Sequence, residues 1–67
     1  MTDSFVTERD AIDAALNQNW KEAVRINTIL LKSDKSNINI LNRLGFALLQ
    51  SGMITAAKKT FSKVIKL

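Results

Sequence analysis

Asp10 and Asp13 stand three residues apart with Glu8 close by, the grouping in this chain best suited to moving a proton. Paired carboxylates can serve as general acid and base, but that work wants a concave, partly dry pocket. There is no histidine, cysteine or tyrosine to assist them, and no glycine-rich phosphate loop. The three acids therefore read as a solvated helix face, no catalytic residue is assigned, and an enzyme is not expected. Structural zinc is held mainly by cysteine and histidine, so no metal site is expected either, nor any cofactor or small-molecule substrate.

The basic residues offer a second chemistry. Lys59, Lys63 and Lys66 recur along one helical face with Lys58 beside them, and such a row could contact phosphates. The segment has no arginine and only Phe61 as an aromatic, and lysines near a helix C-terminus also answer the helix dipole. Nucleic acid is kept as the alternative partner, not the first. The charge distribution is uneven: all six acids fall in residues 1–34, whereas residues 35–67 hold six basic residues and no acid. A chain polarised in this way could steer an acidic partner or a second copy joined head to tail.

These side chains have to be positioned by helices. Proline is absent, β-branched residues never alternate strictly with polar ones, and apolar residues recur at helical spacing. The pattern predicts four helices. The first runs from about Ser4 to Asn17, capped by Asp3 or Ser4, with Phe5, Ile12 and Leu16 apolar. The second opens at Asn19-Trp20-Lys21-Glu22, where Asn19 can cap and Glu22 can reach back; its stripe is Trp20, Ala23, Val24, Leu30 and Leu31. The third starts near Asn37 and ends at Gly52, suited to the left-handed position after a helix. The fourth carries Ile54, Ala57, Phe61, Val64 and Ile65. Short connections make neighbours antiparallel, so the fold class is all-α, two stacked helical hairpins in a single domain.

The hairpins repeat. An offset of 34 residues brings Arg9 onto Arg43, Ala23 onto Ala57 and Lys32 onto Lys66. It also pairs Val6 with Ile40, Ala11 with Gly45, Ile12 with Phe46, Trp20 with Ile54, Leu30 with Val64 and Leu31 with Ile65. Repeat 1 spans about 4–36 and repeat 2 about 37–67. Leu41-x2-Leu44-Gly45-x2-Leu48, followed by Ala57-x3-Phe61, resembles the tetratricopeptide repeat, whose signature is W-x2-L-G-x2-Y and then A-x3-F. Gly52 matches the turn between the two helices of such a repeat. The resemblance is good over 37–67 and partial over 4–36, where Thr7, Asp10 and Asn27 stand in place of Leu41, Leu44 and Phe61. Residues expected to pack or turn the repeats are Trp20, Ala23, Leu41, Leu44, Gly45, Leu48, Gly52, Ala57 and Phe61. Gly45 and Ala57 are expected where the helices of repeat 2 come closest. Asn27 is either an edge residue satisfied by solvent or a neighbouring backbone, or a polar contact that fixes register between repeats or between two chains.

The resemblance implies a short α-solenoid that binds protein or peptide in the groove lined by the first helix of each repeat. Carried onto this chain, that groove presents Glu8, Arg9, Ile12, Asn39, Asn42, Arg43, Phe46 and Leu49. Arg9 and Arg43, recurring at one place, could hold carboxylates in bidentate fashion. Helix 4 keeps an apolar flank of Met53, Ala56, Ile65 and Leu67, and two repeats are fewer than a solenoid needs for stability. A homo-oligomer is therefore expected, a dimer that could exchange helices, unless the chain is part of a longer array. The longest apolar runs are about four residues, such as 46–49, against the ~20 that cross a bilayer. With no leader pattern at the start, a cytoplasmic setting is expected.

Overall fold

A computed structural model describes residues 6–66, as four helices joined by short turns: α1 (Glu8–Leu16), α2 (Trp20–Ser33), α3 (Ile38–Gln50) and α4 (Ile54–Lys66). No strand occurs among the described residues. Each helix packs on the next in chain order, α1 on α2, α2 on α3 and α3 on α4. The all-α class and the two hairpins follow the sequence expectation.

The caps explain where the helices begin. Asn19 caps α2 through its side-chain oxygen, which accepts from the Glu22 N–H at 3.4 Å. Asn37 caps α3 and accepts from Ile40 N–H at 3.1 Å. The expected start of helix 1 is corrected. Val6 and Thr7 are not helical, and α1 starts at Glu8 behind a reciprocal box. Thr7 Oγ1 accepts from the Asp10 N–H at 3.3 Å, and the Asp10 carboxylate accepts from the Thr7 N–H at 2.8 Å. Thr7 and Asp10 thus satisfy free helix-start donors instead of filling apolar positions. The other cap candidates, Asp3 and Ser4, and the apolar Phe5 lie outside the described residues, as does Leu67.

Both hairpins turn the same way. After α3, Gly52 is left-handed at φ 82°, its N–H donates to the Leu49 carbonyl at 3.0 Å, and Met53 N–H donates to the Leu48 carbonyl at 2.9 Å. After α1, Gln18 takes the left-handed position at φ 56°, donating to Ala15 at 2.9 Å, while Asn19 donates to Ala14 at 2.8 Å. This pair of bonds is the Schellman closure, and Gln18 precedes Gly52 by the repeat offset.

Two clusters form the interior. Ala11, Ala14, Ala23, Ile26 and Ala47 make one, with Val6, Trp20, Val24 and Leu30 against it. Leu44, Leu48 and Ala57 make the other, covered by Val24, Leu31, Ala56 and Phe61. Val24 touches both and joins the hairpins. The first cluster is mostly alanine because small side chains let helices approach closely. Ile12 and Leu16, expected as apolar positions of helix 1, are exposed, and so are Ile54 and Ile65 of helix 4. Buried Thr60 is a polar residue the apolar stripe did not reveal; its hydroxyl donates to the Ala56 carbonyl at 2.9 Å.

Gly45 is buried against Phe61. A β-carbon there would stand 2.5 Å from Phe61 Cε1 and 2.7 Å from Cζ, far inside van der Waals contact. Around this approach, Leu41 and Ala57 are 1% and 2% exposed. Gly52 has a different task, since a β-carbon there would meet nothing within 4 Å; it is needed for its backbone conformation.

Candidate protein-interaction face

The expected groove residues come from α1 and α3. Glu8, Arg9, Ile12, Asn39, Asn42, Phe46 and Leu49 are exposed, while Arg43 is half-buried. Exposed large apolar side chains are costly to leave in water, and three of this set, Ile12, Phe46 and Leu49, are 38–49% exposed. Phe46 also meets Trp20 of α2 edge to face, with ring centroids 5.5 Å apart and planes at 78°. These rings, with Ala15, Ala23, Asn27, Asn42 and Arg43, line a cleft of about 240 Å³. It is an apolar recess with an amide and a guanidinium on its wall.

Arg43 is held from two sides. Its Nε donates to Asn27 Oδ1 at 3.3 Å and one terminal nitrogen donates to Glu8 Oε2 at 3.0 Å. Asn27 in turn donates from Nδ2 to the Ala23 carbonyl at 2.8 Å. Residues of α1, α2 and α3 are thereby tied into one polar chain. The other terminal nitrogen of Arg43 is buried without a hydrogen-bond partner. The edge placement of Asn27 is corrected, since the residue is 1% exposed; its amide is met by a neighbouring backbone carbonyl, that of Ala23, and by Arg43 across the hairpins. A buried amide would otherwise cost on the order of 1–3 kcal/mol. The carboxylate that Arg43 grips is the chain's own Glu8, whereas Arg9 is exposed.

The remaining candidates are spread elsewhere. Asp10 and Asp13 line an open groove of about 280 Å³ that also reaches Glu22 and Arg25, and Asp10 is occupied in the α1 cap. No group of three acids, histidines or cysteines that could hold a metal occurs among the described residues. Glu22 accepts from Arg25 Nε at 3.0 Å, and this hydrogen bond, helped by the positive charge and opposed by partial burial, holds its carboxyl below the usual range. It therefore does not return to the α2 cap as expected; the guanidinium three residues on is the stronger partner. Lys58, Lys59, Lys63 and Lys66 are all exposed on α4. On the expected flank Met53 and Ile65 are exposed, but Ala56 is drawn against the second cluster, a correction to its place there. No described helix is long and apolar enough to cross a membrane.

Comparison with family models, with curated proteins and with solved structures gives no match for this chain.

Proposed function

We propose that the chain is a non-catalytic, tetratricopeptide-like interaction module that takes a protein segment or peptide along α1 and α3. The observation that carries this reading is the cleft beside Trp20 and Phe46, where exposed apolar surface adjoins Asn42 and Arg43. An apolar anchor side chain suits the recess, and polar groups on its wall can orient the segment that bears it. A cytosolic setting belongs to the same proposal.

The test is to select peptides on the chain from a random library and map them by amide chemical-shift changes. Selected peptides should perturb Asn42, Phe46 and Leu49, and Phe46→Ser should weaken them tenfold or more. Peptides that perturb only α4, or that ignore Phe46→Ser, would overturn the assignment.

A second reading rests on the four exposed lysines of α4. A basic adaptor for nucleic acid would be retained on heparin and released steeply as salt rises; absence of retention at low salt eliminates it.

A further inference from the structure

We propose that the basic outer face of α4 docks on the acidic α1 of a second copy, repeating head to tail the join that α2 and α3 make inside one chain. This goes beyond the peptide-groove reading and names the two surfaces of the homo-oligomer expected from the sequence.

The internal join supplies the template. Val24 and Leu31 of α2 pack on the cluster containing Leu44 and Leu48 of α3, and the Trp20 ring meets Phe46. The repeat offset carries Trp20 and Val24 onto Ile54 and Lys58 of α4. It carries Phe46 and Leu44 back onto Ile12 and Asp10 of α1. The aromatic pair thus becomes two isoleucines, 46% and 38% exposed, able to cover each other. Val24, which packs on the cluster holding Leu44, becomes Lys58, and Leu44 becomes Asp10, both exposed. Ile54 also borders an open groove of about 450 Å³ with Met53, Ala56 and Lys59, room for a side chain from a neighbouring helix. Ile65, at the place of Leu31, is 85% exposed and lacks the cover that Leu31 has.

Charge selects the occupant and its direction. No acid follows Asp34, so α4 presents only positive charge, whereas α1 carries Glu8, Asp10 and Asp13 against the one cation Arg9. Asp10 and Asp13 are both exposed, while Glu8 is paired with Arg43 of its own chain. Two α4 faces repel each other, and α4 against α1 attracts. A two-fold dimer through α4 is disfavoured for that reason. A head-to-tail contact leaves one free surface of each kind after every addition, so it grows beyond the dimer.

Sedimentation of the whole chain over a concentration series tests this. The expected mass rises with concentration past the dimer and falls back as salt goes from about 0.01 M to about 1 M, where the screening length shrinks from about 30 Å to about 3 Å. Lys58→Glu and Asp10→Lys should each weaken association at least tenfold, and an equimolar mixture of the two should recover it, since each then meets an opposite charge. Asp13→Lys serves as a second α1 variant outside the capping pair, with helical circular dichroism confirming that every variant is folded. A chain that stays monomeric throughout overturns the proposal. So does a dimer weakened by Lys58→Glu but untouched by both α1 variants, which would be a two-fold α4 contact. Phe46→Ser should leave assembly within twofold of the unaltered chain, so failure of the peptide groove and failure of this contact are read separately; a tenfold loss there would place the contact on the wrong face.

Discussion

The side chains of Asn27 and Arg43 meet across the join between the two hairpins, Nε to Oδ1 at 3.3 Å. Asn27 stands where the second repeat has Phe61; Phe61 turns onto Gly45 of its own hairpin, whereas Asn27 also reaches Arg43 of the next one. Removing the amide takes away one of the two partners of a half-buried guanidinium and leaves it only Glu8. Asn27→Ala is expected to destabilise the chain by roughly 1–3 kcal/mol. In a double-mutant cycle with Arg43→Ala the two losses should fall short of additivity by about 0.5–3 kcal/mol. Urea unfolding of the four proteins measures this, and full additivity would mean that the contact contributes nothing.

Gly45 and Phe61 give a prediction whose sign reverses with background. Alanine is favoured over glycine in a helix by roughly 1 kcal/mol, yet its β-carbon would come within 2.5 Å of the Phe61 ring. That ring is packed on Leu44, Leu48 and Ala57, so displacing it disturbs the second cluster. Gly45→Ala should therefore destabilise the unaltered chain, and Gly45→Val should do so by about 1–3 kcal/mol through overpacking. In a Phe61→Ala background, Gly45→Ala should instead stabilise. Thermal unfolding of both series decides it, and an unchanged Tm for Gly45→Val would remove the close-approach account.

How far these contacts could be read from sequence depends on their range. Asn19, Asn37 and Gly52 mark helix ends by local chemistry, and the resemblance to the tetratricopeptide signature groups Gly45, Ala57 and Phe61 as one packing unit. The repeat offset aligns Gln18 with Gly52, but glutamine does not by itself mark a left-handed backbone position. Thr7 and Asp10 looked like weak core positions when compared with Leu41 and Leu44, although a threonine followed three residues later by an acid is itself a helix-start pattern. Asn42, Phe46 and Leu49, placed on one outward side of the third helix by their spacing, are exposed. The role of Arg43 was not legible, because its partners Asn27 and Glu8 lie on other helices and no spacing rule connects them.

Gln18 points to a stabilising substitution. A residue with a β-carbon held in the left-handed region is strained by roughly 1–2 kcal/mol, and Gln18 sits there at φ 56°. Gln18→Gly should raise stability by about 0.5–1 kcal/mol, less than the strain because glycine also gains freedom when unfolded. For a chain of this size that corresponds to a Tm rise of a few degrees, at about 4–8 °C per kcal/mol. Gly52→Ala is the mirror test and should lower Tm although its β-carbon would touch nothing. If the two substitutions shifted Tm in the same direction, the shared turn geometry would not control stability.

Glu22 gives the chain a pH dependence of definite sign. The Arg25 hydrogen bond holds the folded carboxyl below its ordinary value of 4.5. The folded state therefore binds this proton less readily than the unfolded state, and stability rises with pH wherever the two differ in protonation. The contribution is complete above the unfolded value and is lost as pH falls through the lower folded one. The pair is partly open to water, with 40% of the Glu22 side chain and 43% of the Arg25 side chain accessible, so the effect is small and weakens with salt. Urea midpoints should fall between about pH 6 and about pH 3, and Glu22→Gln should remove part of that slope while leaving the Asn19 cap in place. A slope unchanged by Glu22→Gln would assign the acid sensitivity to other carboxylates.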